Sequence, residues 1–218
     1  PPIGDAEAAL DLLVGAIAAA GYAPGVDDVA IALDPAANGF SIGEGRYRVD
    51  GRELDRDELA ARYQRLVADY PIRSIEDGFA EDDLEGWRML DERLGARVQI
   101  VGDDLYVTDP ARIRAGAEQG LSNAVLIKPN QIGTVSQTLE AIRVARSLGL
   151  RCMVSHRSGE TPDSFIADLA VGTGVGQIKA GAPARGERTA KYNRLTDIAG
   201  DSPSLPYGLT VSGGAVRP

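Results

Sequence analysis

The chain has 218 residues and carries 23 lysines and arginines against 32 aspartates and glutamates, which gives a formal net charge of −9 at pH 7. This acidic balance argues against a nucleic-acid-binding surface, because contacts to phosphates require clustered cations. Apolar residues make up 44% of the sequence and charged residues 25%, so the chain is too apolar to be disordered and should form a hydrophobic core.

Helices and strands alternate in the first part of the sequence. Apolar residues at helical spacing follow Asp5, which predicts a helix over residues 6–20 with Asp5 as its N-cap. The apolar run 29–33 is too short for a helix and predicts a buried strand. A capping box at residues 55–58 predicts the start of the next helix, and a strand is predicted over 73–76.

The same alternation continues towards residue 179. Helices are predicted to begin after Asp82 or Asp83, at Pro110, after Thr134 and at Pro162. Strands are predicted over 98–101, 124–127, 152–154 and 176–178. Strands that alternate with helices pair in parallel through right-handed crossovers, so the predicted fold class is α/β.

A doubly wound open sheet and a closed barrel share this alternation. A nucleotide-binding open sheet would carry a glycine-rich turn after its first strand, but residues 33–38 contain no Gly-x-Gly-x-x-Gly, and no P-loop occurs in the sequence. The barrel is therefore favoured. The chain is slightly short for a complete α/β barrel, which typically needs about 250 residues.

Six successive predicted strands end at a residue that can carry charge. These residues are Asp34, Glu76, Asp103, Lys128, His156 and Lys179. In a barrel they would converge on the C-terminal face, where barrel active sites lie. A solvated charge at a strand end is the simpler interpretation of any one of them, but six in succession favour a functional site.

The three acids of this set, Asp34, Glu76 and Asp103, suit a hard cation, and magnesium is the expected ion because it prefers oxygen ligands. With one histidine and one cysteine in the chain, a zinc site of His and Cys ligands is disfavoured. The alternative is a carboxylate cluster that Lys128 and Lys179 neutralise.

A buried lysine that faces a metal ion has its charged form disfavoured, so it can act as a base near neutral pH. Removal of a proton from a carbon next to a carboxylate needs positive charge at the carboxylate oxygens, which a metal ion supplies. Metal-assisted proton abstraction is therefore the reaction class that the six residues suggest.

Residues 155–161, Ser-His-Arg-Ser-Gly-Glu-Thr, lead into a predicted helix. An arginine, hydroxyl groups and the amides of a helix start together make an anion site, for which phosphate is the natural ligand. The alternative interpretation is a helix cap with a surface arginine. His156 alone would more often be a structural histidine, but its position at a strand end favours a functional one.

The lone cysteine, Cys152, excludes an intramolecular disulfide and fits a reducing compartment. No run of about 20 apolar residues occurs, and residues 1–5 lack the pattern of a signal peptide. We therefore expect a cytoplasmic protein without a membrane span.

Five segments resemble, in order, the catalytic barrel of the enolases: residues 74–77, 101–105, 126–134, 155–161 and 176–183, and the matches continue through residues 187–188 and 190–193. The resemblance implies a TIM-type (β/α) barrel of the enolase superfamily over residues 1–198, with about six βα units. By the same resemblance, the sequence lacks the family's first two barrel strands and its N-terminal α+β domain, and residues 199–218 are a divergent, irregular tail.

What the resemblance implies for function is specific. The family dehydrates 2-phosphoglycerate reversibly to phosphoenolpyruvate in glycolysis and gluconeogenesis, with magnesium as cofactor and as a homodimer. By the resemblance, Asp34, Glu76 and Asp103 match the family's magnesium ligands, and Lys128 matches the base that takes the proton from C2. Arg157 and Ser158 match the phosphate-binding pair, His156 lies at a substrate-contacting position, and Lys179 matches the lysine near the substrate carboxylate.

The sequence departs from the family at Gly78, at 38–39 and at Gly186, none of which belongs to the six strand-end residues. The family's general acid matches nothing in these residues, because it lies upstream. Two alternatives therefore stay open: a truncated or diverged enolase-like chain that serves as a scaffold, and another superfamily enzyme that acts on a different carboxylate. The phosphate segment disfavours the second.

Overall fold

The computed structural model describes residues 3–25, 28–206 and 208. Contacts divide the chain into two compact units. The first contains the described residues up to Leu105 together with Gln119–Asn123, and the second contains Tyr106–Glu118 and the described residues from Ala124 onwards. Among the described residues, no helix is both long enough and apolar enough to cross a membrane.

The first unit contains a parallel sheet, an antiparallel sheet and three helices. The helices are α1 (Ala6–Ala19), α2 (Arg56–Asp69) and α3 (Leu84–Leu94). The strands are β1 (Ile31–Leu33), β2 (Ser41–Gly43), β3 (Arg46–Val49), β4 (Arg52–Asp55), β5 (Ile72–Glu76) and β6 (Gln99–Gly102). In this unit β1, β5 and β6 lie side by side in parallel, as the alternation of strands and helices predicts.

The antiparallel sheet β2–β3–β4 is absent from the sequence-based prediction. Its two turns, 44–45 and 50–51, have positive φ at both residues, as two-residue type I′ hairpin loops require. Tyr47 of β3 attaches this sheet to α3, because its hydroxyl donates to Oδ2 of Asp83 at 2.6 Å and its ring meets Phe79 edge-on. Asp83 also caps α3, so one carboxylate joins the two elements.

The second unit follows the predicted order of strands and helices. Its elements are α4 (Pro110–Glu118), β7 (Ala124–Ile127), α5 (Pro129–Ile132), α6 (Val135–Ser147), β8 (Arg151–Ser155), α7 (Phe165–Thr173), β9 (Ile178–Lys179) and α8 (Gly186–Asp201). β8 lies between β7 and β9, and both pairs are parallel. Strand β7 is buried throughout, which explains its continuous apolar sequence.

The predicted helix starts are mostly confirmed. Asp5 caps α1, a reciprocal capping box of Asp55 and Glu58 opens α2, and Thr134 caps α6. The predicted start at Pro162 is wrong, because α7 begins only at Phe165. In α1 only Leu10 is buried, so the amphipathic pattern of this helix is not matched by packing within the described residues.

Helices α5 and α8 were not predicted. Helix α8 extends through Asp201 and so includes the first three residues of the predicted tail. Residues 207 and 209–218 of that tail lie outside the described residues. An irregular conformation there stays a prediction.

Candidate functional site

Three of the predicted site residues lie at the ends of adjacent parallel strands of the first unit. Leu33 pairs with Ile75, which brings Asp34 level with Glu76, and Glu76 pairs with Val101, two residues before Asp103. Because side chains alternate along a strand, this register directs all three acids to one face of the sheet. Glu76 and Asp103 are 4% and 8% exposed, whereas Asp34 is exposed.

The structure also brings together a second acidic set that overlaps the predicted one. Carboxylate oxygens of Asp77, Asp103 and Asp104 all lie within 4.8 Å of one another. Asp77 and Asp104 were missed, although each directly follows a predicted ligand in the sequence. An all-oxygen donor set of this density suits a hard divalent cation, so the residues present fit magnesium.

Asp77 links the loops that follow β1, β5 and β6. Its carboxylate accepts the backbone N–H of Asp103 through Oδ1 at 2.8 Å and that of Asp104 through Oδ2 at 3.0 Å. Its carbonyl accepts the N–H of Ala37, at 3.0 Å. Burial raises the pKa of Asp77 to about 7, although the two N–H donors oppose this shift, and the charges of Asp103 and Asp104 add to it.

Asn38 makes a further connection between these loops. Its amide nitrogen donates to Oδ2 of Asp104 at 2.9 Å, and its amide oxygen accepts the N–H of Glu81 at 2.9 Å. Asn38 is one of the positions where the chain departs from the enolase pattern. The amide at this position therefore connects the acidic cluster, through Asp104, to the backbone of Glu81.

Lys128 lies at the end of β7, where it immediately precedes α5. Its backbone N–H donates to the hydroxyl of Thr108 at 2.9 Å, and that hydroxyl lies 3.3 Å from Oε1 of Gln131. Thr108 is fully buried and has φ of +60°. A strained, buried threonine thus fixes the backbone of the residue that was predicted to be the base.

Lys179 and Lys128 belong to the same face of the second unit's sheet. Ile127 pairs with Val154, so Lys128 lies level with Ser155, which itself pairs with Lys179. His156 follows Ser155, and its backbone N–H donates to the carbonyl of Lys179 at 2.9 Å. The structure therefore brings Lys128, His156 and Lys179 to the C-terminal ends of three adjacent strands.

The loop of residues 156–161 is held by α8. Arg188 donates to the carbonyls of Arg157 and Ser158, both at 2.8 Å, and it also contacts Nδ1 of His156. The pKa of His156 is lowered, first by burial and second by the charge of Arg188. The side chain of Arg157 reaches the amide oxygen of Asn130 at 3.2 Å.

A second cation from α8 completes this support. Lys191 is 1% exposed and donates to Oε2 of Glu160, to the carbonyl of Thr161 and to the carbonyl of Glu187, at 2.7, 2.6 and 2.7 Å. The other oxygen of Glu160 accepts the N–H of Arg157 at 2.9 Å. Burial alone would raise the pKa of Glu160, but these hydrogen bonds outweigh it and the pKa is lowered.

The supporting roles of Arg188 and Lys191 were missed. Both lie in sequence segments that resemble the family, but neither stands at the end of a predicted strand. The sequence offered one indication of these roles: Arg188 and Lys191 are three positions apart, which would place them on the same face of a helix. No helix was predicted in this segment.

Comparison with known proteins gives one family. The family model described as "Enolase, C-terminal TIM barrel domain" matches residues 1–204. Proteins named enolase from Nitratiruptor sp. and Rubrobacter xylanophilus are 52% and 54% identical over 92% and 91% of this chain. The enolase of Methanopyrus kandleri is 55% identical over 92% of it. These matches cover 48%, 46% and 47% of the relatives, so the chain spans about half of their length.

Proposed function

The chain belongs to the enolase family through its C-terminal TIM barrel domain, and on this premise we propose that the protein catalyses the reversible dehydration of 2-phosphoglycerate to phosphoenolpyruvate. The family and the TIM-type fold agree with those predicted from the sequence. The proposed reaction makes the protein a hydro-lyase of glycolysis and gluconeogenesis, and we extend the proposal to a cytoplasmic location and a homodimer.

Lys128 is the proposed base that takes the proton from C2 of the substrate. Its backbone is fixed by Thr108, and Lys179 shares its face of the sheet, where we assign Lys179 to the substrate carboxylate.

Arg157 and Ser158 are the proposed phosphate contacts. Because Arg188 and Glu160 bind the main chain of this loop, the Arg157 guanidinium and the Ser158 hydroxyl start from a fixed backbone. A fixed backbone lowers the entropy that the loop would lose on binding an anion. His156 is proposed to contact the substrate beside them.

Asp34, Glu76 and Asp103 are the proposed magnesium ligands. Both oxygens of Asp77 already accept backbone N–H groups, so we assign Asp77 to holding Asp103 and Asp104 rather than to direct ligation. A bound magnesium ion would neutralise the charge that develops on the substrate carboxylate when the C2 proton leaves. Oxygen ligands on three adjacent strand ends support this assignment.

The observation that carries the proposal is the enolase match over residues 1–204, which includes every proposed site residue. The test is the exchange of the C2 proton of 2-phosphoglycerate with deuterium in the presence of magnesium, followed by NMR. Exchange needs the base but not the departure of the hydroxyl, so it tests Lys128 directly. Formation of the enol product is followed in parallel by its absorbance.

We expect Lys128→Ala to abolish exchange and to leave metal binding unchanged. Lys179→Ala is the matched control, since it should weaken substrate binding while exchange at saturating substrate persists. Exchange that survives Lys128→Ala would show that another group is the base. Turnover of an unphosphorylated acid, with none of 2-phosphoglycerate, would refute the proposed substrate.

A further inference from the structure

His156 and Arg188 form a contact whose chemistry fixes the protonation of the histidine. Arg188 is 8% exposed, and its Nη1 is hydrogen-bonded to Nδ1 of His156. The same guanidinium is held in place by the carbonyls of Arg157 and Ser158, both at 2.8 Å. The arginine therefore cannot turn away from the ring without losing two further hydrogen bonds in a buried site.

The backbone around this pair is shaped to admit it. Gly181 has φ of +90°, and a Cβ built there would lie 2.8 Å from Cδ of Arg188 and 3.1 Å from Cε1 of His156. Only glycine fits both the conformation and the space. The imidazole and the aliphatic stem of Arg188 thus pack directly against the main chain at Gly181.

An arginine side chain has five N–H donors and no acceptor, and it stays charged at all pH values that a folded protein tolerates. Nδ1 of His156 must therefore be the acceptor in this hydrogen bond. An imidazole whose Nδ1 accepts is neutral, and it carries its proton on Nε2.

We propose that Arg188 is a positioning residue that holds His156 as the neutral Nε2–H tautomer, so that His156 presents a hydrogen-bond donor to the ligand of this loop. The role towards the substrate rests on the proposed function, whereas the tautomer follows from the contact alone. The two can therefore fail separately. A histidine fixed in this way donates a proton in a hydrogen bond and does not act as a base through Nδ1.

The charges around the ring agree with this state. Arg188 and Lys191 from α8 and Lys179 from β9 all disfavour the imidazolium form, and only Glu160, from the same loop, favours it. Glu160 is itself engaged by Lys191, at 2.7 Å, which weakens its influence on the ring.

The chain contains a single histidine, so its imidazole nitrogens can be assigned without mutation. We would label the 218-residue chain with ¹⁵N and record long-range ¹H–¹⁵N spectra of the imidazole between pH 5 and pH 9. We expect an unprotonated, hydrogen-bonded Nδ1 and a protonated Nε2 at pH 7.5, with the titration midpoint below that of a free histidine, about 6.5. A protonated Nδ1, or an imidazolium at pH 7.5, would overturn the proposal.

Arg188→Met removes the donor and the charge while it keeps an apolar stem of similar length. We expect signals of the second tautomer to appear and the titration midpoint to move upward. Arg188→Lys, which retains a cation and a donor, should restore part of the original tautomer preference and serves if the methionine variant does not fold. Unchanged tautomer and midpoint in the variant that folds would refute the role of Arg188.

Arg194→Met is the matched control on the same helix. Arg194 binds Asp168 through Nε and Nη2, and its change should leave the imidazole spectrum as it is. If the unsubstituted chain has the expected tautomer but no activity with 2-phosphoglycerate, the proposed function alone is refuted.

Discussion

Replacement of Lys191 by methionine tests whether α8 holds the loop of residues 156–161 through a buried charge. The ammonium group of Lys191 donates three hydrogen bonds to protein acceptors, at 2.6 to 2.7 Å. Methionine has nearly the same length but no donor and no charge. The substitution therefore leaves the Glu160 carboxylate without its cation and removes a donor from the carbonyls of Thr161 and Glu187.

The magnitude follows from the burial of the two partners. Removal of one member of a buried ion pair costs about 3–5 kcal/mol, because the other charge stays uncompensated. Glu160 is 16% exposed in its side chain and keeps the N–H of Arg157, so some solvent and one hydrogen bond remain. We therefore expect the free energy of unfolding to fall by about 3 kcal/mol, the lower end of that range.

Urea denaturation followed by far-UV circular dichroism at pH 7 measures this loss. Arg194→Met is the control on the same helix, because its ion pair with Asp168 is partly exposed and should contribute little. The double variant Lys191→Met with Glu160→Gln should recover part of the loss, since the uncompensated carboxylate is gone. A loss no larger than that of the control, or no recovery in the double variant, would refute the explanation.

Three further outcomes are expected. Cys152 is buried, and burial raises the pKa of its thiol to about 12, so a thiol-specific reagent at pH 8 should label it only after denaturation. Asp77→Asn should weaken Mn²⁺ binding, measured by electron paramagnetic resonance, by about 10-fold or more, because the amide cannot accept both N–H groups of the β6 loop. Because the pKa of His156 is lowered in the folded chain, the unfolded chain binds more protons than the folded chain as the pH falls below about 6.5. The free energy of unfolding should therefore decrease as the pH is lowered through this range, and it should decrease by more than in His156→Gln.

The sequence predicts the features that depend on neighbouring residues. The caps at Asp5, Asp55 and Thr134 act over three positions, and the structure has all three. The antiparallel sheet was missed because its strands are short and its apolar residues few, although Asp50-Gly51 is a standard hairpin signal. The Asp50-Gly51 pair favours a two-residue turn with positive φ at both residues, and a turn predicted there would have located the hairpin of β3 and β4.

Contacts between distant residues are a different case. Arg188 and His156 are 32 positions apart, and Lys191 and Glu160 are 31 apart. The hydrophobic periodicity of α8 does not predict these contacts, because the residues that this helix buries are the two cations, Arg188 and Lys191. A buried lysine or arginine is disfavoured by its desolvation unless its partners are already in place. Such residues become interpretable only once the loop that supplies their acceptors has been located.

Backbone strain in the described residues concentrates beside the proposed site. The non-glycine residues with positive φ are Ala36, Glu44, Asp50, Asp77, Val107, Thr108 and Arg185. Glu44 and Asp50 belong to hairpin turns that require this conformation. The other five follow β1, β5 or β6, or precede α8.

Each strained residue of that kind costs on the order of 1–3 kcal/mol and persists only where its surroundings determine it. Asp77 is determined by three hydrogen bonds to neighbouring loops, and Thr108 by its contact with the Lys128 backbone. Removal of these hydrogen bonds should therefore release the backbone of the predicted ligand and of the predicted base. Strained backbone in the loops beside the proposed ligands and the proposed base fits a site whose charged groups must be fixed before the substrate binds.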